Sequence, residues 1–182
     1  MIALDHPWLA TGQRQAFRLL LEAWARPGTI ADLGPWCGGG RARLAVLAAL
    51  CDAASSLHDA HGQLTDGDRS RLGAVSADVG SAAFVLADAA RGCEGVTPAR
   101  GTLLTPERGA TLLLDCQSVG EGPAQVLSGP GIDGRIDLHL LGVHPGWWTA
   151  RAGWCAHPLG IDLIFCDARR IACIPRTSVA ER

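Results

Sequence analysis

The chain has 182 residues, of which 48% are hydrophobic and 19% charged, so it is long enough for one domain with a buried core and too apolar to be disordered. Its formal net charge of −2 gives no basic surface of the kind that binds nucleic acid. All 16 basic residues are arginine, which excludes a lysine Schiff base to pyridoxal phosphate and a P-loop of the GxxxxGK[ST] type. Phosphate groups must therefore be recognised by arginine side chains, backbone amides or helix N-termini.

The sequence predicts a cytoplasmic protein. Its first residues, MIALDHPWLATG, have no basic segment and no long apolar core, so we expect no signal peptide. The longest apolar run, Leu44–Cys51, is far shorter than the ~20 residues that span a bilayer. Seven cysteines without CxxC spacing favour reduced thiols.

Four helices are predicted along the chain. The first has Thr11 as N-cap, ends at Pro27-Gly28, and carries Phe17, Leu20, Leu21 and Trp24 on one face. The second covers residues 41–55 and is apolar nearly all round, which is typical of a helix that is buried on more than one side. A short third helix is expected near residues 68–75, and Pro145 begins a fourth in PGWWTARAGWC.

Short apolar runs predict the strands. They cover residues 83–87, 110–115, 124–128, 136–141, 161–166 and 171–174, after a short extended segment at 29–33. Several are apolar at successive positions, as in strands that are covered on both faces. We therefore predict a single domain over residues 1–182, an α/β protein with a three-layer α/β/α sandwich and a mixed sheet.

Three short motifs have a functional and a structural interpretation. CGGGRAR before the second helix resembles an anion cradle with Arg41, although an ordinary glycine loop is the stronger interpretation. In HDAH, His58 and His61 have a spacing that suits a metal site on a helix, but a third ligand is missing, so turn residues are favoured. Cys155 and His157 suggest a thiol nucleophile, whereas a structural cysteine is favoured.

The last apolar runs predict a β-hairpin. With a turn at residues 167–170, Cys166 pairs with Ile171 and Asp162 lies opposite Pro175, where the ladder ends because proline has no N–H. Asp162 then accepts from Thr177, from freed backbone amides or from a guanidinium. Arg176 is expected on the opposite face unless the chain turns after the proline. We interpret Asp162 first as a structural lock, and Arg176 as a residue for ligand or partner contacts.

Four ordered stretches resemble the PhnH family, a subunit of the bacterial carbon–phosphorus lyase machinery. They are FRLLLEAWARPGTI, PERGATLLL followed by GPGI, PLGIDLI, and IPRT, and the resemblance covers about residues 14–180. Residues 52–80 depart from it, because CDAASSLHDAHGQL lacks the usual Pro-Val-Trp-Leu-like strand, and Trp24 replaces a methionine.

The resemblance implies a fold like the large domain of pyridoxal-phosphate transferases, without that cofactor. It also implies a homodimer when isolated and other carbon–phosphorus lyase subunits as partners. The charge and the short apolar runs described above predict no nucleic acid and no membrane as partners. The associated activity joins an alkylphosphonate to the ribose of ATP with release of adenine, giving a ribose 1-phosphonate 5-triphosphate.

Two further functions remain open at this stage. One is a stand-alone arginine-based enzyme or binding module for a small anion, with Arg26 or Arg176 as clamp and Asp162 as base. The other is a structural module that has kept only the fold. Candidate substrate-binding residues are thus Arg26, Asp162 and Arg176, with neither metal nor cofactor expected. The tryptophan-rich stretch 147–154 is the candidate dimer interface, because six tryptophans exceed what a small core usually buries.

Overall fold

The computed structural model describes residues 6–38 and 41–181. Its helices are α1 (Ala10–Ala25), α2 (Ala42–Leu50), α3 (Asp66–Leu72) and α4 (Gly146–Trp154). Its strands are β1 (Ile30–Asp32), β2 (Ser56–Asp59), β3 (Val75–Ser76), β4 (Phe84–Asp88), β5 (Thr111–Asp115), β6 (Ser118–Ser128), β7 (Arg135–Leu141), β8 (Asp162–Cys166), β9 (Arg170–Ile174) and β10 (Val179–Glu181). No helix in these two ranges is long and apolar enough to cross a membrane.

A seven-stranded mixed sheet forms the centre of the molecule, in the order β1-β9-β8-β5-β4-β2-β3. Strands β3, β2, β4, β5 and β8 run parallel, whereas β9 and β1 complete one side in antiparallel pairing. The predicted α/β class with a mixed sheet is confirmed. Phe84, Thr111 and Asp162 pair at the starts of β4, β5 and β8, so the carboxyl ends of these strands lie together at one edge.

Both faces of the central sheet are buried. On one face, Leu113 of β5 and Ile164 of β8 pack with α1 and α2. On the other, Leu112 and Phe165 pack with α4 and with a second, three-stranded sheet in the order β10-β6-β7. Burial on both faces explains why these strands have no alternating pattern.

The position of β6 and β7 differs from the prediction. These strands pair with each other and with β10 rather than entering the central sheet. In β7 the buried residues are Leu138 and Leu140, whereas Asp137 and His139, which alternate with them, are exposed. That alternation is typical of a strand with one solvated face, so β7 belongs to a covering layer and not to the centre of the sheet.

The predicted face of α1 is confirmed only in part, because Leu20 is buried and Trp24 packs against the core, whereas Phe17 and Leu21 do not. The helix begins at Ala10, with Leu9 as N-cap and Thr11 inside it. Its buried residues are mainly small, namely Gly12, Ala16, Leu20 and Ala23. Phe17 and Leu21 are 44% and 51% exposed. Small side chains allow α1 to approach α2 closely, so the larger ones are turned outwards.

Three further boundaries shift for local reasons. Helix α2 ends at Leu50 rather than near residue 55. Thr65 caps α3 in a capping box with Asp68, and Gly73, at φ 66°, ends it, so this helix lies about two residues before its predicted position. In the HDAH segment, His58 and Asp59 end strand β2, and Ala60 and His61 form the turn after it, so the favoured turn is confirmed for the second half only.

Asp167 holds the β8–β9 turn. The pairing of Cys166 with Ile171 confirms the predicted register. The carboxylate accepts from the backbone N–H groups of Arg169 (2.8 Å) and Arg170 (2.7 Å), and from that of Val119 in β6 (2.8 Å). The Arg170 guanidinium adds a bond of 2.9 Å. Asp167 therefore joins the central sheet to the covering sheet.

We expect Asp167→Asn to destabilise the protein at pH 7 by about 2 kcal/mol, because an amide nitrogen cannot accept these bonds. Burial raises the pKa of Asp167, but the amide and guanidinium donors outweigh it and hold the pKa below its usual value. The stabilisation is therefore complete above the unfolded pKa of about 4 and is lost as the pH falls through the folded pKa.

Urea unfolding from pH 7 down to pH 2.5 measures this effect. The difference between variant and wild type should shrink as the pH falls, whereas Asp133→Asn, at an exposed position, should have little effect at any pH. A constant difference over the whole range would contradict this role of the Asp167 charge.

Candidate functional site

An aspartate ends or follows each of four neighbouring parallel strands. Asp59, Asp88 and Asp115 are the last residues of β2, β4 and β5, and Asp167 follows β8. They lie along the carboxyl edge of the sheet, where open α/β proteins bind their ligands. The pattern is visible in the sequence as SLHD, FVLAD, TLLLD and LIFCD, although none of these aspartates was predicted as a site residue.

A cleft of about 300 Å³ opens at this edge. We call it the carboxyl-end cleft. It is lined by Arg41, Arg43, Gln63, Asp88, Ala90, Asp115, Cys116 and Gln117.

Two guanidinium groups meet the carboxylate of Asp115. Arg41 donates to Oδ1 from Nε (3.0 Å) and Nη2 (2.8 Å), and Arg43 donates to Oδ2 at 2.7 Å. The side chain of Asp115 is only 7% exposed, whereas that of Arg41 is 40% exposed. The trio carries one net positive charge, and Arg41 is its solvent-facing member.

Two buried polar atoms of this cluster have no hydrogen-bond partner among the described residues. They are Nε of Arg43 and Oε1 of Gln63. The other amide atom of Gln63, Nε2, donates to Asp115 Oδ2 at 3.2 Å. One unpaired donor and one unpaired acceptor thus lie buried in residues that line the cleft.

Asp88 is the carboxylate of the cleft that keeps free acceptor capacity. Its Oδ1 accepts from the Ala90 N–H at 3.0 Å, and no ion pair in the described part of the chain involves it. The Asp88 backbone N–H donates to Nδ1 of His61 at 3.0 Å, so a neutral His61 carries its proton on Nε2. Asp88 is therefore the carboxylate of the cleft that is free to accept further hydrogen bonds.

Cys116 lines the same cleft but is a poor nucleophile. Burial, with the nearby charges of Asp167 and Asp115, raises the pKa of its thiol to about 12. The thiolate is the reactive form of cysteine, so Cys116 is unreactive near neutral pH.

The HDAH motif does not form the metal site that its spacing suggests. His58 Nδ1 contacts the Ala77 carbonyl at 2.9 Å, and the Asp59 carboxylate is taken up by two backbone amides and by Arg69 at 2.7 Å. Within residues 6–38 and 41–181 no group of three or more His, Cys, Asp or Glu side chains is arranged to hold a metal ion.

The glycine-rich motif lies partly outside the described residues, since Gly39 and Gly40 belong to the undescribed positions. Arg41 is the N-cap residue of α2 and has no side-chain capping bond. Its guanidinium is directed to Asp115, so the predicted contribution of Arg41 to an anion cradle is partly offset by that carboxylate.

The predicted site residues Asp162 and Arg176 meet at the opposite, amino edge of the sheet. Oδ1 of Asp162 accepts from the Arg176 backbone N–H at 2.7 Å, and Oδ2 accepts from Nη2 at 2.5 Å. The chain turns after Pro175, where the Ser178 N–H bonds the Pro175 carbonyl at 3.0 Å. This turn brings Arg176 to the carboxylate, while Thr177 is exposed and is not the partner.

The guanidinium of Arg176 is largely used by the protein. Besides Asp162, it bonds the carbonyls of Pro106 (2.6 Å) and Gly109 (3.3 Å), so four of its five N–H groups have acceptors. Gly109 lies so close that a Cβ there would be 2.5 Å from Arg176 Nη1. Arg176 is therefore a structural link between the last hairpin and the segment before β5, a role that the sequence analysis gave only to Asp162.

The remaining candidate residues from the sequence do not form a common site. The Arg26 side chain is exposed and makes no hydrogen bond or ion pair within the described part of the chain. Cys155 donates to the Ile161 carbonyl at 3.6 Å, and no bond joins it to His157 among the described residues. Trp147 is 1% exposed and donates to the carbonyls of Ala89 and Arg91, so it belongs to the core.

We expect Asp162→Ala and Arg176→Ala to destabilise the protein by similar amounts, about 2 kcal/mol each, because each leaves the partner's buried polar groups unpaired. The double variant should lose about 1–2 kcal/mol less than the sum of the two, which is the coupling expected of a direct pair. Urea unfolding of the four proteins measures both quantities.

A matched control is the exposed Arg169–Asp32 ion pair, whose side chains are 59% and 49% exposed. Arg169→Ala should change the free energy of unfolding little, because solvent screens such pairs. A fully stable Arg176→Ala would return Arg176 to the ligand-binding role that the sequence suggests.

Comparison with known proteins identifies the family. Residues 5–181 match the family model of the bacterial phosphonate metabolism protein PhnH. A protein of Stutzerimonas stutzeri that is named as a candidate C-P lyase subunit, HtxG, is 44% identical over 172 residues, which cover 94% of this chain and 87% of that protein. The PhnH subunit of the alpha-D-ribose 1-methylphosphonate 5-triphosphate synthase of Rhizobium meliloti (strain 1021) is 28% identical, over 93% of this chain and 90% of its own length. The chain therefore belongs to the PhnH family of bacterial phosphonate metabolism proteins.

Proposed function

We propose that this chain is a subunit of a carbon–phosphorus lyase complex in phosphonate breakdown. In that complex it supports the formation of a ribose 1-phosphonate 5-triphosphate from ATP and an alkylphosphonate, with release of adenine. The observation that carries the proposal is the family match over residues 5–181, together with relatives that are named as subunits of such systems.

The carboxyl-end cleft is the part of the surface that suits this chemistry best. Asp88 has free acceptor positions for a ribose hydroxyl, as carboxylates at this edge of α/β sheets commonly do. The two positive charges of Arg41 and Arg43 exceed the single negative charge of Asp115 by one. The arrangement supports an accessory or co-catalytic role, in which this chain binds and orients part of a substrate.

The stand-alone arginine-based enzyme has less support. Its proposed clamp and base, Arg176 and Asp162, saturate each other at the amino edge of the sheet. Arg26 is exposed and lies apart from a defined partner in the described residues. The binding of substrate by these three residues remains a prediction from the sequence.

We infer that the protein works without pyridoxal phosphate and in a reducing compartment. The chain has no lysine to form the Schiff base. All seven cysteines are free thiols, and burial raises the pKa of several of them, including Cys37 to about 11. Both points agree with a cytoplasmic protein. We propose that its fold resembles the large domain of pyridoxal-phosphate transferases but that it does not carry out their pyridoxal chemistry.

The outward face of α1 is the proposed contact surface of a homodimer. Phe17 and Leu21 are one helical turn apart, on the same face, and both are about half exposed. Trp147 of the stretch suggested by the sequence is in the core, and Trp148 packs on Phe165 with ring centroids 5.3 Å apart. The apolar area available to a partner copy therefore lies on α1 rather than on α4.

Light scattering at micromolar concentration should give a dimer for the isolated chain and a monomer for the double variant Phe17→Ser/Leu21→Ser. Because both side chains are half exposed, circular dichroism should be unchanged. Leu104→Ser is the control, since Leu104 is 94% exposed on another part of the surface. A monomeric wild type, or a dimeric double variant, would contradict the α1 contact.

The proposed function is tested by co-expression of a tagged chain with the other carbon–phosphorus lyase subunits. We expect stable co-purification and a complex that releases adenine from ATP and an alkylphosphonate without added pyridoxal phosphate. Asp88→Asn should lower the rate at least tenfold with assembly intact. Asp137→Asn, at an exposed position on β7, should not. A folded chain that never co-purifies would refute the proposal.

A further inference from the structure

A second cavity lies between α4 and the turn that joins β9 to β10. We call it the α4 cavity; its volume is about 480 Å³, within the range of about 300–1,000 Å³ that is usual for small-molecule sites. Its polar lining comes from Arg151, Cys155, His157, Arg176 and Ser178, and Trp148 contributes an apolar wall. It shares no lining residue with the carboxyl-end cleft.

Arg151 is a buried cation without an anionic partner. The residue is 4% exposed, and its Nη2 donates to the carbonyls of Pro175 (2.8 Å) and Ser178 (2.9 Å). No carboxylate of the described residues lies within ion-pair distance of it. Burial lowers the pKa of Arg151 and outweighs the opposing effects of Cys155 and of Asp162, which lies beyond ion-pair distance. Buried charges are normally paired, so this one lacks a counter-ion.

Two buried polar atoms of the same lining are also without partners. They are Nε of Arg151 and Oγ of Ser178, and Ser178 itself is 3% exposed. Nε can only donate, and the hydroxyl can donate or accept. An anion in the cavity would neutralise the charge of Arg151, and it would bond the buried Nε and Oγ atoms once these side chains turn towards it.

The other charged groups of the lining do not neutralise the positive charge of Arg151. Asp162 matches the charge of Arg176 through the bidentate contact described above. None of the described residues that line the cavity is acidic. His157, which also lines the cavity, is exposed.

We propose that the α4 cavity binds a tetrahedral phosphorus oxyanion, a phosphate or phosphonate group, through the guanidinium of Arg151 and the hydroxyl of Ser178. The planar fork of arginine suits two oxygens of such a group. The cavity is larger than a lone phosphate requires, so the natural ligand carries the group on a larger molecule. Its identification as a phosphonate or a nucleotide triphosphate rests on the proposed function, whereas the oxyanion site rests on the geometry alone.

The test measures binding to the isolated full-length protein by calorimetry and thermal unfolding. The probes are inorganic phosphate, methylphosphonate and tripolyphosphate, with sodium chloride at matched ionic strength. We expect a saturable rise in Tm with the oxyanions beyond that with chloride. Tighter binding of methylphosphonate would indicate a phosphonate subsite, and tighter binding of tripolyphosphate would indicate a nucleotide tail; either result supports the site.

Arg151→Met removes the charge at similar length, and it should weaken phosphate binding at least tenfold. Ser178→Ala should weaken it several-fold. Arg14→Met is the matched control, because Arg14 is exposed on α1, which packs on the other face of the sheet. Unchanged binding by folded Arg151→Met, or a Tm rise that chloride reproduces, would overturn the proposal.

Ala152→Glu keeps the test informative if Arg151→Met does not fold. Ala152 is exposed and lines the cavity, so a carboxylate there would compete for Arg151 without removing it. This variant should lose phosphate binding, and full binding would also overturn the proposal. Failure of the anion-binding test with co-purification intact refutes the oxyanion site alone. Lost co-purification with anion binding intact refutes the proposed function alone.

Discussion

The cost of burying charge decides where this protein can have a functional site. A parallel sheet that is covered on both faces leaves only its two ends for polar groups. At the carboxyl end, Asp59 and Asp115 are each neutralised by arginine, and Asp167 is held by backbone amides and Arg170. At the amino end, Asp162 is taken by Arg176. These contacts neutralise the carboxylates at the ends of the strands. The few polar groups that remain unpaired therefore mark the candidate sites.

The use of arginine alone as a basic side chain shapes these pairs. A guanidinium offers five N–H groups in a fixed plane, so one arginine can bond a carboxylate and backbone carbonyls together. Arg176 does this at the last hairpin, and Arg41 does it with Asp115 and the Cys116 carbonyl. Arg151 uses only carbonyls, which satisfy its N–H groups in part but not its charge. Arginine thus neutralises a carboxylate at the last hairpin, whereas in the α4 cavity it lacks a counter-ion and is proposed to bind an anion.

Strands β4, β5, β8 and β9 of the central sheet could be predicted from the sequence because they are continuous apolar runs, and β1 from a short extended segment, whereas β2 and β3 were not predicted. The β8–β9 register followed from the turn and the proline. The α1 face could not be predicted in full, because the packing surface is set by small residues such as Ala16 that carry little hydrophobic signal. In the carboxyl-end cleft, only the aspartates at the strand ends could have been predicted from the sequence pattern. The contact between Arg41 and Asp115 joins residues 74 positions apart, and the burial of Arg151 in a helix with exposed neighbours depends on the whole fold.

Asp88 and Arg151, two charged groups without an ion-pair partner among the described residues, have opposite signs and occupy separate places. The carboxyl-end cleft keeps Asp88 as a free acceptor, and the α4 cavity keeps Arg151 as a free cation. Since no lining residue is shared, neither group neutralises the other. A substrate with both hydroxyl groups and phosphorus oxyanions, as the proposed function requires, offers a complementary group to each of them. The charge pattern of the fold therefore suits binding and orientation of such molecules better than a self-contained catalytic constellation.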